Sequence, residues 1–207
     1  MRFILGHSLL LALLVSACST TASTPSAVPV GGPTYPPDSI PFSEIDLRPY
    51  LLQPDDLPAY VELEEAEVPN ELIKSLPSWD KLAFTRLSIP GYISRGLLVA
   101  LYDDEANAAS AFDGLVKYVE ATSSKEPDLD DKGLVNLTDL GDKAAIHDFG
   151  RFAPGRSSFD AAYAVSVFFK RCHAAVWIDM FSPEVDADMA LTYAHILDER
   201  LQHIACR

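Results

Sequence analysis

Residues 160–181 read DAAYAVSVFFKRCHAAVWIDMF, and their periodicity decides the fold. Tyr163, Val165, Val167 and Phe169 alternate through the first half, and Val176, Ile178 and Met180 through the second. A period of two marks a strand with one face on a core. Arg171, Cys172 and His173 separate the two runs, so the segment reads as a β-hairpin with strands over 160–170 and 174–181.

Downstream, Ala190, Tyr193, Ala194, Leu197, Leu201 and Ile204 recur at helical spacing. They predict an amphipathic helix that starts near Pro183–Asp186 and ends about Ala205. Upstream, short strands are expected over 134–137 and 143–149, flanking Gly141-Asp142. A second amphipathic helix is expected over 103–122, its stripe Ala108, Ala109, Phe112, Leu115, Val116 and Val119. Asp103, Asp104 and Glu105 begin it, where the helix dipole favours acids. Two further strands, 82–89 and 93–102, are divided by the turn signal Pro90-Gly91. Val61 to Glu64 alternates as a strand with a wet face, 70–76 reads as a short helix, and 43–52 as a helical turn capped by Ser43. Hairpin connections imply mainly antiparallel pairing. The expectation is an α+β domain in which two amphipathic helices pack on one face of the sheet.

The chain has 207 residues, 48% hydrophobic and 22% charged, enough for one domain with its own core. Acids outnumber bases 30 to 16, for a net charge of −14. A nucleic-acid binder needs a basic face, so no nucleic-acid partner is expected.

The amino terminus, MRFILGHSLLLALLVSAC, has one early base, Arg2, and then an apolar run to Val15. This is a secretory signal pattern, and the run is too short to span a bilayer. Val15-Ser16-Ala17-Cys18 resembles the lipobox of bacterial lipoproteins. That resemblance implies cleavage after residue 17 and a lipid thioether on the Cys18 sulfur. More than one acyl chain holds a protein firmly to a membrane without spanning it. The chain's acidity would be repelled by an anionic bilayer, so the lipid is the expected anchor. Residues 18–42 then carry the lipidated cysteine and a Pro/Ser/Thr-rich tether, with six of the fifteen prolines and Asp38 as its only charge. As a flexible coil such a tether spans about 27 Å. The folded domain is expected over 43–207.

With Cys18 assigned to lipid, Cys172 and Cys206 remain as a pair in a compartment where disulfides persist. The strand leaving Cys172 travels about 30 Å before the chain turns. The closing helix travels about 30 Å back. Packed antiparallel on that strand, it returns Cys206 to the hairpin, and a disulfide is expected.

The search for chemistry yields only weak patterns. There is no Gly-x-Ser-x-Gly elbow. A hydrolase would use His147 or His173, His147-Asp148 standing near Ser157 and Ser158. Residues 128–133, DLDDKG, place Asp128, Asp130 and Gly133 as in a calcium loop, but Lys132 falls in the coordination shell and Asp139 stands where a glutamate belongs. His195, Glu199 and His203 are one helical turn apart on the face opposite Leu197 and Leu201, which favours surface charge pairing over a metal site. No Gly-rich phosphate loop occurs, and no cofactor or metal is expected. From 55 to 71 the chain carries acids and no base. Asp55, Asp56, Glu62, Glu64, Glu65 and Glu67 form a candidate acidic interaction patch, since clustered acids attract cationic partners.

Several pieces together resemble a broad group of predicted bacterial surface lipoproteins. These are Asp56-Leu57-Pro58 after a short helix, the strand followed by the Ala106–Val119 helix, and Leu140-Gly141-Asp142-Lys143-Ala144 before a strand. The hairpin at Arg171–His173 and the closing helix Ala190–Leu201 complete the set. More distantly, the chain resembles the extracellular sensor domain of mycobacterial PknH-type kinases, although those domains use more disulfides. The resemblance implies a small α+β domain with a concave sheet or groove that binds a ligand. The functional expectation is a lipid-anchored bacterial cell-envelope protein, a non-catalytic, sensor-like module for a small ligand or an envelope protein. The alternatives are an envelope hydrolase and an assembly factor working through the acidic surface.

Overall fold

The computed structural model describes residues 38–90, 95–123, 131–151 and 162–207. The expected signal segment, Cys18 and most of the expected tether lie outside the described residues. The strands are β1 (Glu62–Glu65), β2 (Lys81–Ser88), β3 (Arg95–Leu101), β4 (Gly133–Leu137), β5 (Lys143–Arg151), β6 (Tyr163–Arg171) and β7 (Ala174–Ser182). The helices are a single turn, α1 (Asn70–Ile73), and two long ones, α2 (Glu105–Ser123) and α3 (Ala187–Ala205). The strands form one seven-stranded sheet in the order β1-β2-β3-β7-β6-β5-β4, antiparallel at every pairing. The α+β class therefore stands.

Local chemistry sets the helix starts. Asp186 caps α3, its carboxylate accepting from the Met189 N–H at 2.8 Å. Asp104 does the same for α2, accepting from the Ala106 N–H at 2.7 Å. The expected helix over 43–52 is instead two 3-10 turns, Phe42–Glu44 and Arg48–Tyr50, and Ser43 caps neither. Pro49 within the second turn lacks the N–H that a longer helix needs.

One expectation is corrected. The two long helices do not share a face of the sheet. Ala190, Tyr193, Ala194, Leu197, Leu201 and Ile204 of α3 pack with Val99, Val165, Val167, Phe169, Val176 and Ile178. Ala108, Ala111, Phe112, Leu115 and Val119 of α2 pack on the other side, with Leu98, Ala100, Ala164, Phe168, Ala175 and Trp177. The physical reason lies in the second parity of the central strands. Every residue of β7 is buried, and so is all of β6 but Arg171. A sheet apolar on both faces needs a layer on each.

At the turn between β6 and β7 the sheet and α3 are tied together. Cys172 has a positive φ of 47°, and its N–H donates to Asp142 Oδ2 at 2.6 Å. The Asp142 N–H donates to the Lys170 carbonyl at 2.7 Å. Asp198 of α3 accepts from Arg171 Nε at 2.7 Å and from the Gly141 N–H at 3.2 Å. The His173 N–H donates to the carbonyl of Ala205 at 3.3 Å. Cys172 and Cys206 are joined by a disulfide with 5.2 Å between their Cα atoms. The return of α3 to the β6–β7 turn is therefore as expected from element lengths, although the helix lies more over β6 than over β7.

Two stability predictions follow from this turn. The Cys172→Ser/Cys206→Ser double variant should lose about 4 kcal/mol in the loop-entropy model, or roughly 10 °C in Tm. Thermal unfolding with and without reductant checks it, and only the wild type should respond to reductant. Gly141 has a φ of +59°, and a side chain there would collide with the Lys170 carbonyl. Gly141→Ala should cost about 1–3 kcal/mol by chemical denaturation.

Candidate functional site

The acidic run from residue 55 is divided by the fold. Asp56 caps a 3-10 turn, accepting from the Gln53 N–H at 2.6 Å. It also holds Arg200 of α3 through two hydrogen bonds of 2.7 and 2.8 Å. Glu64 pairs with Arg86 at 3.2 Å, and Glu71 with Lys74 at 2.7 Å. Asp55 and Glu62 are exposed. Asp56 thus departs from the expected patch: it is a largely buried structural ion pair, because Arg200 needs a partner there.

Glu65 and Glu67 stand elsewhere, at the rim of a cleft. β1 pairs with β2 from Glu62↔Ser88 to Glu65↔Thr85. One more rung follows, the Ala66 N–H donating to the Phe84 carbonyl at 3.1 Å. Pro69 then precedes α1 and the chain turns away. Among the described residues, β2 continues from Phe84 back to Lys81 with no strand on that side. The gap is a cleft of about 650 Å³. Its floor is Lys81–Thr85 of β2. One wall is Leu47 and Leu51, with Asp46 and Arg48 above them. The other is Ala66, Val68 and Ile73. Arg48 is neutralised by Asp46 at 2.8 Å, and Lys81 Nζ donates to the Ser43 carbonyl at 3.4 Å. Glu65 attracts Arg48 at longer range. The Phe84 ring lies where a side chain on Gly96 would stand, which lets the ring sink toward β3.

The cleft was not readable from the acidic run, because side-chain charge does not report where strand pairing stops. The available signal was Pro69, which lacks an N–H for a ladder.

The histidines fall in different settings. His147 is 4% exposed on the α2 face, stacked on Phe149 at 4.1 Å. Its Nε2 is 2.8 Å from Asp131 Oδ1, and its Nδ1 has no hydrogen-bond partner among the described residues. Ser166 is its register partner across β6, and Asp179 is the partner of Ser166 across β7. The three lie in one buried row that the sequence reading missed, although Ser166 and Asp179 are equidistant from the hairpin turn. The Ser166 hydroxyl donates to Asp179 at 2.7 Å rather than to His147. A base must accept the nucleophile's proton, so this row does not assemble a Ser–His pair. Ser157 and Ser158 lie outside the described residues. Asp148, adjacent to His147, pairs with Lys132 at 2.8 Å. Burial alone would raise its carboxyl, but hydrogen bonds from Lys132, Tyr163 and the Gly150 N–H outweigh that and hold it below its ordinary value.

His173 is half-buried, with Nδ1 2.9 Å from the Tyr102 carbonyl. It lines a second cavity of about 480 Å³ with Asp38, Asp80, Asp103 and Arg207. Asp80 there accepts from the Asp103 N–H at 2.6 Å. Asp128 and Asp130 lie outside the described residues, and Asp131 is occupied by His147 and the Gly133 N–H. His195 faces Asp139 at 3.7 Å on the surface. Among the described residues no three metal-ligating side chains converge, and no helix is long and apolar enough to cross a membrane. Comparison with protein families, curated proteins and solved structures finds no match to this chain.

Burial alone would raise the Asp56 carboxyl, but the hydrogen bonds from Arg200 and the Gln53 N–H win and hold it below its ordinary value. A lowered folded-state value gives stability that is present above the unfolded-state pKa and lost as pH falls through the folded one. Asp56→Asn should therefore cost about 1–3 kcal/mol at pH 7. The gap from wild type should shrink as pH falls below about 4. Urea unfolding at both pH values checks it.

Proposed function

We propose that this chain is a bacterial cell-envelope lipoprotein, anchored through Cys18, whose folded domain is a non-catalytic binding module. The cleft between β2 and the 66–73 segment is its site. The observation that carries the reading is that cleft. It is concave, walled by apolar side chains from both layers of the core, and rimmed by a few charged groups. That is the usual make-up of a binding site. The lining residues offer a floor of strand backbone, one hydroxyl, Thr85, and the carboxylates of Asp46, Glu65 and Glu67, with no histidine among them. The Cys172–Cys206 bridge supports residence outside the cytoplasm, since such bonds persist in oxidising compartments. The lipobox-like Val15-Ser16-Ala17-Cys18 supports the lipid anchor.

Two measurements test the reading. Cys18→Ser should move the protein out of the membrane fraction and abolish the lipid adduct seen by mass spectrometry of the native protein. An unmodified Cys18 in wild type would overturn the anchor. A photo-crosslinking amino acid in place of Ile73, in native envelopes, should give a discrete adduct. The same probe in place of Lys117, which is exposed on α2, should not. Equal labelling from both positions would overturn the cleft as the site.

A further inference from the structure

We propose that the cleft takes an extended peptide segment, apolar at its centre and carrying lysine or arginine, which adds as a strand to the uncovered edge of β2. This rests on the reading of the cleft as the binding site and names its ligand class.

The backbone supplies the first argument. In an antiparallel ladder, alternate residues turn their N–H and C=O toward alternate neighbours. Phe84 turns its carbonyl to Ala66, so Leu82, two residues back, turns both groups into the cleft. No backbone partner meets them there among the described residues. An uncovered strand edge is a template for another extended chain, and peptide recognition by strand addition uses such an edge.

The walls supply the second. A strand laid beside β2 sends successive side chains to opposite faces of the sheet. On one face it would meet Leu47 and Leu51, which belong to the α3 layer. On the other it would meet Val68 and Leu82, which pack with the α2 layer. Apolar surface on both sides suits a segment with apolar residues at both parities, which a free-floating polar peptide lacks.

The rim supplies the sign of the charge. Asp46 and Arg48 neutralise each other, and Lys81 is held toward the Ser43 carbonyl. Lys81 keeps its positive charge and offsets one of Glu65 and Glu67, so the charged lining residues together carry −1, in a chain of net charge −14. Cationic groups at the ends of the added strand match them.

The test uses the native lipidated protein in detergent and a fluorescein-labelled, end-blocked Lys-Val-Leu-Val-Lys pentapeptide. Three relatives accompany it: two N-methylated at one or the other set of alternate amides, and one with glutamate for lysine. Only one set of amides faces β2 in an added strand. One N-methylated peptide should therefore lose about tenfold in affinity while the other is nearly unchanged. The glutamate peptide should bind about tenfold more weakly, and Glu67→Gln should narrow that difference. Hydrogen exchange should slow at Leu82, whose N–H faces the cleft, when peptide is bound. No binding of the parent peptide, equal effects of the two methylation patterns, or protection elsewhere would overturn the inference. If the peptide fails while the Ile73 crosslinker still captures a discrete adduct, only the ligand class is wrong. If both fail, the cleft is not the site.

Discussion

The rest of the structure depends on the burial of the β6–β7 hairpin from both sides. Its residues are mostly apolar at both parities, so both faces of the sheet centre are driven out of water. α3 covers one face and α2 the other, which makes the domain three layers deep at its middle and thin at its edges. The long connection from β3 through α2 to β4 follows from the same need. It carries the chain from the sheet centre, over the second face, to the far edge.

This constraint also places the ties and the openings. The end of α3 arrives at the β6–β7 turn, where the disulfide, Asp142 and Asp198 hold it. The 140–142 turn docks on the same spot through Gly141, whose lack of a side chain permits contact with the Lys170 carbonyl. At the opposite edge of the sheet, β1 is only four residues long and its pairing lapses before Pro69. The cleft is therefore a product of an edge strand shorter than its neighbour. Cover is complete at the centre of the sheet and incomplete at that margin.

Much of this was legible in the sequence. The strand periods at 163–169 and 176–180, the helical stripes, the acidic start of α2, and the meeting of Cys172 with Cys206 all follow from local chemistry and element length. The placement of the helices on opposite faces depends on the second parity of the central strands, which the alternation of Tyr163, Val165, Val167 and Phe169 does not report. Ala164, Phe168, Ala175, Trp177 and Phe181 carry that second face in plain sight. The row His147–Ser166–Asp179 was overlooked because cross-strand neighbours are distant in sequence and appear only once a register is assigned. The cleft was the least legible feature. It depends on where a ladder stops, a tertiary outcome that Pro69 hints at and acidic residues such as Asp56 and Glu64 do not.

Burial of the hairpin on both faces anchors the fold, and native-state hydrogen exchange with the disulfide intact reads that anchor residue by residue. Amides of β6, β7 and β3 should exchange last, with protection equal to the global unfolding free energy, and β1 with the 66–73 segment should open well before them. Exchange in β6 and β7 as fast as in β1, or loss of protection on the hairpin while α2 and α3 stay closed, would contradict it.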